Sequence, residues 1–181
     1  MGYSGGSGFF LSQKYTEAGF TQRNTGIGDL YIRTKWRMIN DTEAGTAFAV
    51  MPYVKIPTNS GGVGNRSVEG GLILPWTVTL PGAFNLATMA EMDFLRNDSD
   101  NGYDTVMYAS ASLSRQVTKV VGLYAEATAG KSSGRAAWKG TLGAGVTVVV
   151  TDAIWWDFAV YRGVSRSAID WNPVIRFNWG F

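Results

Sequence analysis

The chain of 181 residues has no cysteine and no histidine. Without cysteine there can be no disulfide framework, thiolate metal site or cysteine nucleophile. Without histidine, the usual general base of hydrolases and the commonest transition-metal ligand are missing too, so the expectation is a protein that is not an enzyme and holds no cofactor. Charge is also scarce, at 17% of residues against about 25% in soluble domains. The net charge of +2 is spread along the chain rather than gathered in a basic stripe, which argues against a nucleic-acid partner. No run approaches the roughly 18 apolar residues of a membrane-spanning helix. The opening Met1-Gly2-Tyr3-Ser4-Gly5-Gly6-Ser7-Gly8 lacks the basic and apolar parts of a secretory signal and reads as a flexible Gly/Ser-rich lead over residues 1–8. Residues 9–181 then form one domain by length.

What the chain does have is glycine, 23 residues of it, seven tryptophans, and a hydrophobic content of 45%, too high for a disordered polymer. Its period is 2. Between Asp29 and Asn40, Leu30, Ile32, Thr34, Trp36 and Met38 alternate with Tyr31, Arg33, Lys35 and Arg37. The same alternation recurs over residues 46–57, 67–80, 83–96, 107–116, 121–129, 140–151, 156–161 and 171–181, and an earlier strand is placed at about 9–20. That gives about ten strands in an up-and-down meander. Short connections near 41–45, 81–82, 118–119 and 152–153 alternate with longer polar ones near 21–28, 58–66, 97–103, 131–137 and 164–170. Outer-membrane barrels show this asymmetry, with tight periplasmic turns and longer external loops.

Alternation alone also describes a soluble lipocalin-like barrel or sandwich, whose apolar rows point inward. Strand length discriminates between them: about 13 residues at ~3.3 Å each, tilted by ~40°, span roughly 33 Å, enough for an apolar band of ~25 Å and its rims. Soluble strands average only about 5 or 6 residues. Trp36, Trp76, Trp138, Trp156, Trp171 and Trp179 suit the aromatic girdles at the two membrane interfaces. The fold expected is therefore a closed antiparallel transmembrane β-barrel with the lipid bilayer as a partner. Closure follows because an open edge in hydrocarbon would leave backbone groups unpaired at several kcal/mol each.

Two stretches, Thr25-Gly26-Ile27-Gly28-Asp29-Leu30 with the strand that follows and Met51-Pro52-Tyr53-Val54-Lys55-Ile56-Pro57-Thr58, resemble conserved-looking signatures of one family. They are similar to the Gly-x-Gly-Asp-Leu strand start and the Pro-x-x-Lys-hydrophobic-Pro-Thr strand ending of the outer-membrane transporters named after the meta-pathway of phenol degradation. The closing Phe177-Asn178-Trp179-Gly180-Phe181 resembles the C-terminal signal of bacterial outer-membrane proteins, which implies recognition by the insertion machinery through Phe181. The resemblance, from about residue 20 to 181, implies a bacterial outer-membrane location, the signal peptide being absent from this chain. It also implies transport of small, aromatic or modestly hydrophobic solutes, and it carries over no binding residue.

The candidate lumen residues are Arg33, Lys35, Arg37, Lys55, Glu69, Glu91, Asp93, Glu126, Asp157 and Arg176, all on the polar side of the alternation, where they would set selectivity or form an ion-pair network. Glu91 and Asp93 are read as counter-charges to Arg33, Lys35 and Arg37 rather than as an acid/base pair. Gly26-Ile27-Gly28-Asp29 lacks the helix and spacing of a phosphate loop. Asn97, Asp98, Asp100 and Asn101 lack the calcium-loop pattern, so no metal site is expected. The leading expectation is a channel for passive passage of small solutes. The alternatives are a closed structural or engineered barrel without transport, and a soluble ligand-binding barrel with Leu72, Leu74 and Val148 in a dry interior.

Overall fold

The structure, a computed structural model, describes residues 14–17, 20–23, 28–60 and 65–180. Its elements are β1 (Lys14–Glu17), β2 (Phe20–Arg23), β3 (Leu30–Arg33), β4 (Trp36–Asp41), β5 (Thr46–Ile56), β6 (Glu69–Leu80), β7 (Phe84–Arg96), β8 (Tyr103–Gln116), β9 (Val121–Ser132), β10 (Lys139–Thr151), β11 (Ile154–Gly163) and β12 (Trp171–Trp179). Among the described residues there is no helix. β1 and β2 form a small hairpin of their own. The other ten strands form one antiparallel sheet in which each element from β5 to β12 pairs with its neighbours in sequence.

The strand expected over 29–40 is broken into β3 and β4, both paired with β5, because Thr34 and Lys35 leave the ladder and the register shifts again between Arg37 and Ile39. Thr34 N still donates to Pro52 O at 3.1 Å, so the two pieces follow one path along β5. The strand expected over 9–20 falls mostly outside the described residues. Its described part, Lys14–Glu17 and Phe20, belongs to the β1–β2 hairpin and not to the large sheet. β2 also occupies the start of the connection expected over 21–28.

The connections alternate in length as the sequence predicts. Residues 42–45, 81–83, 117–120 and 152–153 turn the chain at one end, and 57–68, 97–102, 133–138 and 164–170 at the other. Tight turns need backbone that only small residues tolerate. Gly45 has φ of +61° and Gly82 +79°, with Ala83 also left-handed at +59°.

The cross-strand register fixes the two faces. Tyr31 opposes Lys55, Lys55 opposes Glu69, Gly71 opposes Asp93, Glu91 opposes Tyr108, and Asp157 opposes Arg176, so the charges of the inner strands fall on one side, apart from Arg96, Arg115, Lys131 and Arg162 near strand ends. The other side is apolar along its length, for example Leu86, Ala90 and Met92 on β7 beside Leu113, Ala109 and Met107 on β8. Among the described residues each strand contacts only its ladder neighbours, so no second layer covers that side. Met107 is 62% exposed and Ile175 68%, whereas the buried apolar side chains Ala49, Ile73 and Ala159 all lie on the charged side. The crowded face is tied together by long side chains that reach past their ladder neighbours. Arg176 on β12 reaches Tyr124 on β9, although three strand spacings of a flat sheet would separate their backbones by ~14 Å.

The ladders leave β3–β4 and β12 as the two edges of the sheet among the described residues. Closure into a complete barrel is therefore not part of the described pairing, and the structure establishes the antiparallel meander.

Replacing Gly45 by Ala places a Cβ 2.8 Å from the Thr79 Cβ at a left-handed φ. The expected cost is about 1–2 kcal/mol. Gly28→Ala, with nothing within 4 Å, is the control, and chemical-denaturation midpoints compare the two.

Candidate functional site

The charged face is organised by a recurring device in which a tyrosine lies across a glycine to reach an acid two strands away. Tyr53 on β5 opposes Gly71 on β6, which opposes Asp93 on β7, and the Tyr53 hydroxyl donates to Asp93 Oδ1 at 2.6 Å. Tyr161 on β11 opposes Gly143 on β10, which opposes Glu126 on β9, and the Tyr161 hydroxyl donates to Glu126 Oε2 at 3.0 Å. A Cβ on Gly143 would sit 2.3 Å from the Tyr161 ring, and one on Gly71 2.3 Å from Asp93 Oδ1. Glycine at these two positions is what lets the ring lie flat over the sheet.

Around these units the cations take defined places. Arg176 pairs with Asp157 at 3.1 Å and donates to the Tyr161 hydroxyl at 2.9 Å and the Tyr124 hydroxyl at 3.3 Å, while Thr147 Oγ1 donates to Asp157. Arg33 stacks over the Tyr53 ring, 5.5 Å from its centre. Glu91 makes no direct ion pair with Arg33, Lys35 or Arg37 among the described residues, although Asp93 and Arg33 both act on its charge. No ion pair joins those three cations to Glu91 or Asp93 among the described residues, so the counter-charge arrangement read from the sequence does not form as direct contacts. Lys35 and Arg37 instead border a cavity of about 200 Å³ near the short-turn end, with Asn40, Ala49 and Thr77.

At the opposite end Lys55 is 3% exposed, fastened by Glu69 at 2.7 Å and Asp29 at 3.3 Å and donating to Asn65 Oδ1. The long connection 57–68 is tied into the same group. Asn59 N donates to Asp29 Oδ1 at 3.1 Å, Asn65 Nδ2 to Glu69 Oε1 at 2.7 Å, and Arg96 N to Glu69 Oε1 at 2.8 Å. Asp29 lies just before β3. Burial opposes its charge, but hydrogen bonds from Asn59 and Lys55 outweigh that and hold its carboxyl below the ordinary carboxylate range.

Two adjoining cavities, about 470 and 350 Å³, open on the charged face at the long-connection end and share Tyr108, Thr128, Lys139 and Thr141. The sequence reading missed this region, since Lys139 begins its strand and Tyr108 stands among serines. The loop 97–102 is closed on itself: Asn101 N donates to Asn97 Oδ1, Asp100 pairs with Arg96 and Asp98 with Arg135. Its acidic side chains thus meet cations, and no metal-holding group occurs among the described residues.

On the opposite face cations stand only near strand ends, three of them beside an aromatic ring. Arg115 lies over Phe84 at the short-turn end, and Arg96 over Tyr103 and Arg162 over Trp171 at the other. Trp76, Trp156 and Trp179 lie toward the short-turn ends and Trp138 and Trp171 at the long-connection ends, while Trp36 sits further in, opposite Val50.

The two stretches singled out in the sequence thus meet in space through Asp29 and Lys55. A family model described as "Putative MetA-pathway of phenol degradation" matches residues 2–177. The chain belongs to this family. The match starts at residue 2, upstream of the residue 20 from which the short motifs suggested it. The description connects the family with phenol degradation and gives no residue a role. No curated protein matches the chain.

Lys55→Met leaves Asp29 and Glu69 buried beside one another without their cation, and the expected loss is about 3 kcal/mol. Adding Glu69→Gln recovers part of it, which a denaturation midpoint resolves. The Asp29 contribution is complete above the ordinary carboxylate value of 3.8 and fades as pH falls through the lower folded value. Asn59→Ala flattens that acid limb.

Proposed function

We propose that this chain is an outer-membrane β-barrel channel for passive passage of small solutes, aromatic or modestly hydrophobic in keeping with the family's connection to phenol degradation. The observation that carries the reading is the bare apolar face, which has no protein layer over it. A solvent of acyl chains accounts for such a surface, and water does not. The charge-free row Phe84, Leu86, Thr88, Ala90, Met92 and Phe94 on the apolar face of β7 rises by about 25 Å at a ~40° tilt, close to the apolar band of outer-membrane barrels. Cations confined to its rims, with aromatic rings beneath them, suit the headgroup level, where a guanidinium stays wet above an apolar stem.

In this reading the two edges of the sheet are joined, because unpaired backbone in hydrocarbon costs several kcal/mol per group. The short turns face the periplasm, the long connections face outward, and the charged face lines the passage. Lys55 and its partners brace the outer mouth, and the two adjoining cavities form its vestibule. The soluble-barrel alternative needs Leu72, Leu74 and Val148 to face a dry centre, whereas those rows lie on the side that nothing covers.

A second reading, a closed scaffold without transport, draws on the tyrosines laid across Gly71, Gly143 and Gly145, which fill space on the charged face. Reconstitution separates the two. The channel reading expects a detergent requirement, heat-modifiable migration on a denaturing gel and stable open steps in a planar bilayer. Verified insertion with silent bilayers would leave the scaffold, and a monodisperse chain in plain buffer would overturn both.

A further inference from the structure

The charged face is unevenly satisfied. Most carboxylates on it have a direct partner: Glu69 takes Lys55, Asp157 takes Arg176, Asp93 and Glu126 accept from Tyr53 and Tyr161, and Asp104 accepts from Ser132. The cations divide differently. Lys55 and Arg176 are paired and Arg33 lies on the Tyr53 ring, but Lys35, Arg37 and Lys139 have no ion pair or hydrogen bond among the described residues. Each of these three borders a cavity. Lys139 stands where the two larger ones adjoin, and Lys35 and Arg37 line the smaller one toward the short turns. Tyrosine and serine hydroxyls leave the charges of Asp93, Glu126 and Asp104 in place, so what distinguishes the two ends of this face is a cation without a direct partner beside a cavity.

The surroundings of Lys139 add a second requirement. Its ammonium group shares the cavities with Leu95 and Val106 on one side and Ile169 and Val174 on the other, with the Tyr108 ring between them. A bare inorganic anion would use the cation and waste the apolar wall, whereas a neutral hydrocarbon would do the reverse. An organic molecule with an apolar body and one negative group uses both.

We infer that the passage selects anions and that its solutes are small organic carboxylates with an apolar body, held first at Lys139 and passed toward Lys35 and Arg37. This rests on the channel reading and supplies what that reading leaves open, the charge of the solute. A unit charge ~5 Å from an ion path in a water-like medium favours the counter-ion about fourfold, so each free cation should be measurable by itself.

The test uses the full chain in planar bilayers of zwitterionic lipid under a tenfold KCl gradient. A reversal potential of the sign set by chloride is expected. Lys139→Gln should lower the chloride-to-potassium permeability ratio by up to about sixteenfold, fourfold from each ion, and Lys35→Glu with Arg37→Glu should invert the preference. Potassium benzoate in place of chloride should carry current. Open steps that prefer potassium, or variants that insert and conduct with an unchanged ratio, would overturn the inference while leaving the channel intact. Silent bilayers with verified insertion would overturn the channel reading itself. In that case benzoate and benzyl alcohol binding to the detergent-held chain, followed by tryptophan fluorescence, decides about the site. Tighter benzoate binding that Lys139→Gln weakens would support the anion site, and equal binding of the two would overturn it.

Discussion

The rest of the structure depends on one imbalance: a single sheet has two faces, and only the charged one finds protein partners. In a water-soluble domain the apolar side of a sheet is covered by a second layer, and that burial offsets most of the entropy of ordering the chain. Here the apolar rows of β5 to β12 meet nothing beyond their neighbours in the same sheet. The buried side chains, Ala49, Ile73, Ala159 and Lys55, lie on the side where charge is concentrated. Among the described residues the packing is inverted relative to a soluble fold, and the proposed membrane environment matches that inversion.

That inversion explains why the polar side is built as it is. Charges gathered on one face have to be paired, hydrogen-bonded or wet. The tyrosine-over-glycine units supply donors to Asp93 and Glu126 without adding positive charge, and the ion pairs of Lys55 and Arg176 fix the two ends of the network on different strands. The Asp29–Lys55 contact gives a physical reason for the two motifs on which the family resemblance rests, since each contributes one half of a buried ion pair that anchors a long connection. The same economy leaves Lys35, Arg37 and Lys139 uncommitted, each beside a cavity on the charged face.

Much of this was legible in the sequence because period 2 reads a strand and its two faces directly. The spans predicted for β5, β6, β7 and β10 shift by one or two residues at an end, whereas the strand read through Met107–Gln116 starts earlier, at Tyr103, inside the connection expected over 97–103. The assignment of Arg33, Lys55, Glu91, Glu126, Asp157 and Arg176 to one side follows from alternation within each strand. What alternation does not contain is the register between strands. That Gly71 lies between Tyr53 and Asp93, or Gly143 between Tyr161 and Glu126, depends on offsets set by turn lengths and bulges. So the Tyr53 hydroxyl as the direct partner of Asp93, and the places of Asn59, Asn65 and Lys139, are not readable from alternation. The break at Thr34 and Lys35 was equally hidden, because both residues continue the alternation while leaving the ladder.

The sidedness of the sheet is the central claim, and the absence of cysteine makes it directly measurable. Single cysteines replacing Ala109 and Ser110, neighbours on β8 with opposite orientations, can each carry an environment-sensitive fluorophore in the vesicle-reconstituted chain. Quenching at Ala109→Cys by bromine-labelled acyl chains, and at Ser110→Cys by aqueous iodide, is the result the account predicts. The reverse pattern, or iodide reaching both positions equally, would contradict it.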